Sequence, residues 1–190
     1  MNTVQPIRDT KKIKIIRDFL KKTNLRNYAL FEVGIRIGLR ISDLLELKWK
    51  DVLENEKKFK DRIIIKEEKT EKTKSFFLQE DAIKALKEYM SSIENLNTDW
   101  YIFKSRKGEN RPIDRFQAHK IISEAAQVAR IADPIGTHSL RKTFGYHAYK
   151  QGTDIVLLMD VFNHSTPSMT KKYIGITDDD IKDVYINLKL

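Results

Sequence analysis

The sequence contains no cysteine. Disulfide bonds and thiolate-based metal or redox chemistry are therefore excluded. It also has no apolar run that approaches the roughly 20 residues of a membrane-spanning helix, and residues 1–6 lack the apolar core of an export signal. We therefore expect a cytoplasmic protein.

The chain does contain enough apolar residues for a core and a marked excess of positive charge. Of its 190 residues, 41% are hydrophobic, and no internal repeat or Gly/Ser linker divides them, which predicts a single domain. The 36 basic residues outnumber the 27 acidic ones and give a net charge of +9. This balance favours a polyanionic partner, nucleic acid first, although a merely soluble basic protein would look the same.

Hydrophobic periodicity predicts a mainly α fold with a small antiparallel β-sheet, an α+β class. Two predicted strands, residues 62–66 and 75–78, flank a lysine-rich turn. Gly38 is expected to end the second helix, because it follows the last residue of the helical apolar pattern. Ser42 is the expected N-cap of the third helix, and Pro112 is expected in the first turn of the fifth. Helices are predicted for residues 9–22, 25–37, 43–48, 81–93, 113–130, 139–151, 154–162 and 166–173, and from residue 178 onward.

His138 and Arg141 are the first pair with recognisable chemistry. They stand three residues apart near a helix start, so they share one face of the helix. A helix N-terminus favours anions, and arginine can hold a phosphate with two parallel hydrogen bonds. By itself the pair is unspecific, since such spacing also arises by chance.

Five sequence boxes in a fixed order are more specific. They are Gly38-Leu39-Arg40 leading into Leu45-Glu46-Leu47-Lys48-Trp49, then Lys69-Thr70 in the predicted hairpin turn, His138-Ser139-Leu140-Arg141, Asn163-His164, and Thr170-Lys171-Lys172-Tyr173. This set resembles the catalytic domain of the tyrosine recombinase (phage integrase) family. The resemblance extends from about Arg8 to Tyr173.

The resemblance implies that Tyr173 is the nucleophile. Its phenolate would attack the scissile phosphate, form a 3′-phosphotyrosyl bond and release a 5′-hydroxyl, so that resealing needs no ATP. Arg40 and Arg141 match the arginine pair that binds the non-bridging oxygens and stabilises the transition-state charge.

The same resemblance assigns roles to four further residues. Lys69 matches the hairpin lysine that protonates the leaving 5′-oxygen, and His138 matches the residue that accepts or shares the tyrosine proton. His164 matches the position, His or Trp, that hydrogen-bonds the phosphate, and Asp43 matches an acidic residue that supports the first arginine. Because the two arginines supply the positive charge, we expect no metal and no cofactor.

Other residues of the same types compete for these roles. Tyr185 is the nearest alternative nucleophile, but it lies on the apolar face of the last predicted helix and is interpreted as a packing residue. Lys72 and Lys74 compete with Lys69 within the hairpin. His119 and His147 are interpreted as ordinary polar or packing residues, since their spacing does not match a metal site.

Two departures from the family pattern affect the predicted organisation. The family usually has Leu-Gly before the second histidine, whereas this chain has Phe162-Asn163; asparagine can still adopt the left-handed conformation of that glycine. The family's N-terminal DNA-binding domain is expected to be absent. We therefore predict a catalytic domain over residues 1–177 and a helical tail over residues 178–190, with a partner protein as one source of the missing half of the clamp.

The leading hypothesis is site-specific recombination on double-stranded DNA, at the nucleoid, by four protomers. A tail stripe of Ile181, Val184, Tyr185 and Leu188 could pack on a neighbouring protomer or on its own domain. A type IB topoisomerase-like nicking-closing enzyme and a non-catalytic DNA-binding accessory protein are the alternatives. Relaxation of plasmids without a sequence requirement would favour the first of these, whereas the intact set of catalytic residues argues against the second.

Overall fold

The computed structural model describes residues 4–55, 58–66, 73–176, 182, 185 and 186. The elements in chain order are α1 (Thr10–Thr23), α2 (Leu25–Ile37), α3 (Ile41–Leu45), α4 (Trp49–Val52), β1 (Leu53–Asn55), β2 (Lys58–Phe59), β3 (Arg62–Lys66), β4 (Thr73–Phe77), α5 (Glu80–Met90), α6 (Arg115–Val128), α7 (Thr137–Lys150), α8 (Ile155–Phe162) and α9 (Pro167–Ile174). The predicted fold class, mainly helical with small antiparallel sheets, is confirmed.

Helix α2 is the centre of the main core. It packs against α1, α5 and α7, and most of its side chains are buried. Its N-cap, Asn24, accepts a hydrogen bond from the backbone N–H of Asn27 (3.1 Å). Its C-cap, Gly38, has a φ of +62°, and a Cβ there would lie 2.6 Å from the Phe144 ring. Glycine at this position therefore permits both the left-handed turn and the close approach of α7.

The predicted hairpin forms between β3 and β4. Arg62 pairs with Phe77 and Lys66 with Thr73 in an antiparallel register. Phe76 is buried while the next residue, Phe77, is exposed, as expected where successive side chains point to opposite faces. Strands β1 and β2 form a separate two-stranded sheet. The hairpin turn itself, residues 67–72, lies outside the described residues.

The predicted N-termini of α3, α6 and α8 are among the helix boundaries that are wrong. Ser42 does not cap the third helix, because α3 begins at Ile41, two residues before the predicted start, and Arg40 is its N-cap. Pro112 is not in the first turn of α6; it pairs with Lys104 in an isolated β-bridge, and Asp114 caps the helix by accepting the backbone N–H of Gln117 (2.7 Å). Asp154, predicted as the first residue of α8, is instead its N-cap. In the last two cases an aspartate carboxylate reaches the free N–H groups of the first turn.

A second, smaller core joins α8 and α9 to α7. Leu158, Phe162 and Ile174 are buried there, and the rings of Phe144 and Tyr173 pack against them. At Gly145 of α7, a Cβ would come within 2.6 Å of both Phe162 and Ile174. The close approach at this glycine therefore sets how near the last two helices lie to α7. Within the described part of the chain, no helix combines the length and apolarity needed to cross a membrane.

Candidate active site

An open cleft of about 840 Å³ brings together five of the six predicted site residues. Its charged and polar lining consists of Arg40, Ser42, Arg115, Thr137, His138, Arg141, Asn163, His164 and Tyr173. The side chains come from the start of α3, the start of α6, the first turns of α7, the turn after α8, and α9. The sixth predicted residue, Lys69, lies outside the described residues.

Arg141 is buried and rigidly held on α7. The residue is only 3% exposed. Its guanidinium donates hydrogen bonds to the carbonyl oxygens of Gly38 and Phe162, the latter at 3.1 Å. It also lies over the Phe162 ring, 4.7 Å from the ring centroid. The carbonyl of Gly38 precedes Arg40 by two residues, so this bond connects the two arginine-bearing segments.

The second arginine of the site, Arg40, and the acidic residue predicted to support it, Asp43, lie at the start of α3. Arg40 is half-buried at the N-cap, and Asp43 is buried in the first turn of the same helix. That placement agrees with the predicted support of Arg40 by Asp43, which remains a prediction.

His138 lies in the first turn of α7, one turn before Arg141. The backbone N–H of Gly136 donates to Ser139 Oγ (3.1 Å), which closes the start of the helix. His138 is exposed and lines the cleft beside Arg141, as the shared face of the helix predicts.

His164 follows a left-handed turn at Asn163, whose φ is +54°. The prediction that asparagine replaces the family's glycine in this conformation is confirmed. The imidazole Nδ1 is hydrogen-bonded to Thr170 Oγ1 (3.0 Å) on α9. Burial lowers the pKa of His164, and the positive charges of Arg141, Arg40 and Lys74 lower it further. The imidazole is therefore neutral at neutral pH.

Tyr173 lies on α9 with its ring against the histidine. The ring centroids of Tyr173 and His164 are 5.0 Å apart with the planes at 75°, and the Phe162 ring is 5.4 Å away. Burial raises the pKa of the Tyr173 phenol, whereas Arg141 and Arg40 act in the opposite direction, Arg141 also through a hydrogen bond. The phenol is therefore protonated at neutral pH before substrate binds, yet both arginines already act on its oxygen.

Lys74, one of the alternatives to Lys69, is engaged in a structural contact. Its ammonium donates to the carbonyl oxygens of Asp160 (2.9 Å) and Val161 (3.2 Å), at the C-terminal end of α8. A cation at this end of a helix is electrostatically favourable. The contact joins β4 to the helix that precedes His164. Lys72 lies outside the described residues.

The competing tyrosine and histidines lie away from the cleft lining. Tyr185 is 78% exposed, so it does not pack against this chain as its predicted position on an apolar face suggested. His147 Nε2 is hydrogen-bonded to the carbonyl oxygen of Ile7 (2.9 Å), and His119 Nδ1 lies 3.3 Å from Ser123 Oγ. These contacts agree with the interpretation of both histidines as ordinary polar or packing residues.

Two cationic residues near the cleft were missed by sequence reasoning. Arg115 opens α6 and lines the cleft, and Lys142 is buried with its ammonium 5.3 Å from the centroid of the Tyr173 ring. Neither belongs to one of the five boxes. The one available signal was the position of Lys142 directly after Arg141, within the otherwise buried face of α7.

Comparisons of the sequence with known proteins indicate one family. A family model described as the phage integrase family matches residues 8–179. The probable integrase/recombinase YoeC of Bacillus subtilis (strain 168) is 41% identical over 185 residues, which cover 97% of this chain and 97% of YoeC. The tyrosine recombinase XerC of Halalkalibacterium halodurans is 30% identical over 172 residues, which cover 85% of this chain and 54% of XerC.

The fold agrees with a solved structure as well. The crystal structure of the XerH site-specific recombinase, bound to palindromic difH substrate in a post-cleavage complex, matches with a TM-score of 0.75 at 19% identity. The match covers 98% of this chain and 53% of the XerH chain. The chain thus spans about half the length of XerC and XerH, and nearly all of YoeC.

Proposed function

The chain belongs to the phage integrase family, and we propose that it is a site-specific recombinase that cleaves and rejoins DNA strands through a 3′-phosphotyrosyl intermediate. The observation that carries this proposal is the cleft itself. Arginines from two segments, histidines from two more and the tyrosine of α9 converge there, in the order and on the elements expected of a phosphoryl-transfer site.

The scissile phosphate would bind between Arg40 and Arg141. Both guanidiniums act electrostatically on Tyr173 and on His164, which supports a single anion position near all four groups. Arg141 is held by two backbone carbonyls and is therefore preorganised, so little rearrangement is needed when negative charge develops on the phosphorane.

Cleavage then follows as an in-line displacement. The Tyr173 oxygen attacks phosphorus, the bond from phosphorus to the 5′-oxygen breaks, and its electron pair goes to that oxygen. The phenol proton goes to His138, and Lys69 supplies a proton to the leaving 5′-oxygen. Attack of a 5′-hydroxyl on the phosphotyrosyl bond reverses the sequence and reseals a strand.

His164 and Asp43 would support this reaction from the sides. A neutral His164, held by Thr170 and packed on the Tyr173 ring, can orient the ring and hydrogen-bond the phosphate. Asp43, buried one turn beyond Arg40, would hold that arginine in place.

Double-stranded DNA is the partner that this reaction requires, and its phosphates match the +9 net charge. A second open groove is lined by basic side chains that could follow the DNA backbone: Arg106, Lys107, Arg111 and Lys120. We further propose that four protomers act together, because exchange between two duplexes needs four cleavages, and that residues 178–190 pack on a neighbouring protomer. Tyr185 and Ile186, both exposed, are available for such a contact.

Two parts of the predicted organisation also remain proposals. One is the division at residue 177 into a catalytic domain and a tail; the other is a partner that supplies the missing half of the DNA clamp. Action on DNA would place the protein at the nucleoid, in the cytoplasm. The topoisomerase and accessory-protein alternatives are not favoured, since YoeC, XerC and XerH are all named as recombinases.

The test is a comparison of two reactions on plasmid DNA. We expect the protein to recombine plasmids that carry two copies of its site and to leave plasmids without the site supercoiled. Arg141→Ala should abolish recombination without abolishing DNA binding. Relaxation of any supercoiled plasmid, with no requirement for a site, would contradict a recombinase and favour the nicking-closing alternative.

A further inference from the structure

Residues 4–8, which we call the N-terminal strap, run across α7 before α1 begins. Ile7 is buried, and its backbone N–H donates to Thr143 Oγ1 of α7 (2.8 Å). One turn further along α7, His147 Nε2 is hydrogen-bonded to the carbonyl oxygen of Ile7 (2.9 Å). The strap is therefore fixed to the helix that carries His138 and Arg141.

The strap reaches the ring of Tyr173 through Lys142. The Lys142 ammonium donates to the carbonyl oxygen of Val4 (2.8 Å) and lies 5.3 Å from the centroid of the Tyr173 ring. Lys142 is only 5% exposed, and a desolvated cation over an aromatic face is a favourable contact. One ammonium thus joins the strap to the nucleophile.

The strap also reaches the end of the helix that carries Tyr173. Arg8 Nη2 donates to the carbonyl oxygen of Gly175 (2.9 Å), two residues after Tyr173. Gly175 has a φ of +77° and ends α9, and a Cβ there would lie 2.9 Å from Arg8 Nη2. The guanidinium is itself held by Gln5 Oε1 (3.2 Å) and by the ring of Tyr146.

Helix α9 is short and depends on contacts with the rest of the protein for its position. It has eight residues, and helices this short are held by packing rather than by their own stability. Its buried contacts are few, chiefly those of Thr170 and Ile174. An error of about 1 Å in the position of a reacting group can cost about a hundredfold in rate.

We propose that Arg8 and Lys142 are positioning residues for cleavage, which hold Tyr173 in line with the phosphate by tying α9 and its tyrosine ring to the N-terminal strap. The inference rests on the proposed function, in which Tyr173 is the nucleophile. The groups that act on the Tyr173 hydroxyl are Arg141 and Arg40, whereas Lys142 faces the ring. The strap therefore acts on where the ring of Tyr173 and the end of α9 lie.

The variants for the test are Arg8→Ala and Lys142→Met, with Arg8→Lys as the conservative replacement. Lys12→Ala is the matched control, because the Lys12 ammonium also donates to a backbone carbonyl, that of Arg130 (3.4 Å), but at a site away from α9. Single-turnover cleavage of a saturating suicide DNA substrate, DNA affinity and thermal melting are measured for each variant.

We expect Arg8→Ala and Lys142→Met each to slow cleavage about tenfold or more at saturating DNA, with affinity changed less than twofold. Arg8→Lys should recover part of the rate, since lysine can still donate one hydrogen bond to Gly175. The control should cleave like the wild type. Rates within twofold of wild type for both variants would overturn the proposal, and so would losses that simply follow the melting temperature. Because Arg8 is partly exposed, Arg8→Ala alone decides the matter if Lys142→Met does not fold.

A spectroscopic measurement separates this inference from the proposed function. The chain is labelled with 3-fluorotyrosine, and the ¹⁹F resonance of residue 173 is assigned as the one lost in Tyr173→Phe. Arg8→Ala and Lys142→Met should shift or broaden that resonance, and Lys12→Ala should not. If the wild type forms no covalent adduct with DNA, the proposed function fails. The ¹⁹F measurement then tests by itself whether the strap positions the ring of Tyr173. An unmoved resonance in both variants would overturn it.

Discussion

Adding a single methyl group at Gly145 should slow DNA cleavage by more than the accompanying loss of folding stability explains. This glycine lies on α7 beneath the small core that joins α8 and α9. In Gly145→Ala, the new Cβ would lie 2.6 Å from atoms of both Phe162 and Ile174, closer than van der Waals contact allows. Ile174 is adjacent to Tyr173, so we expect relief of this contact to shift the helix that carries the tyrosine.

The magnitude of each effect can be worked out from the contacts. Overpacking of a core costs about 1–3 kcal/mol, whereas replacing glycine by alanine inside a helix returns about 1 kcal/mol. The net loss of unfolding free energy is therefore about 0–2 kcal/mol, which lowers the melting temperature by at most about 8 °C in a chain of this size. Displacement of Tyr173 by several tenths of an ångström should slow cleavage on the order of tenfold.

Thermal melting and single-turnover cleavage of a suicide substrate, measured on the same preparations, test this expectation. Ala125→Val is the control, since Ala125 is fully buried on α6 in the main core and its enlargement also overpacks the protein. The control should lower the melting temperature to a similar extent but cleave nearly like the wild type. A Gly145→Ala protein that cleaves at the wild-type rate would refute the idea that this packing positions the nucleophile.

Three further predictions follow from the site. Lys69→Ala should block cleavage of normal DNA but affect much less a substrate with sulfur at the bridging 5′ position, because a thiolate leaves without protonation; equal defects on both substrates would move the acid to another lysine. The pKa of His164 is lowered below its ordinary value of 6.5, so protonation at acid pH favours the unfolded state. The folded wild type should therefore lose stability as the pH falls from about 7 to about 5, and His164→Gln should lose less. Identical melting profiles would contradict the buried neutral histidine. Deletion of residues 178–190 should preserve cleavage of single sites but impair strand exchange, and a truncated protein that melts early and cleaves poorly would show that the tail packs on its own domain.

Much of the fold could be predicted because local signals were strong. The turn at Asn163 followed from the family resemblance, which places a glycine there, and from the tolerance of asparagine for the left-handed conformation. The bounds of α2 followed from a continuous apolar pattern that Gly38 ends. Tyr185 shows the opposite case: an apolar stripe indicates that a helix face needs a cover, but not which surface provides it, and the side chain is exposed in this chain.

The errors lie where tertiary contacts chose between equivalent local signals. Ser42 is a good cap by type, yet α3 begins at Ile41 and Arg40 is its N-cap. Pro112 could have opened a helix, but its segment pairs with Lys104 instead. The position of Lys142 directly after Arg141 did not by itself reveal its contacts. Those contacts, with Val4 and with the Tyr173 ring, join segments that are far apart in the chain.

The most direct measurement of the central claim is the identity of the residue that becomes linked to DNA. Wild type, Tyr173→Phe and Tyr185→Phe are incubated with a suicide substrate, resolved on denaturing gels, and any adduct is digested and mapped by mass spectrometry. Tyr173→Phe should bind DNA about as well as the wild type and form no adduct, and the wild-type adduct should map to the peptide that contains Tyr173, bonded to a 3′-phosphate. An adduct that persists in Tyr173→Phe and is lost in Tyr185→Phe would contradict the account.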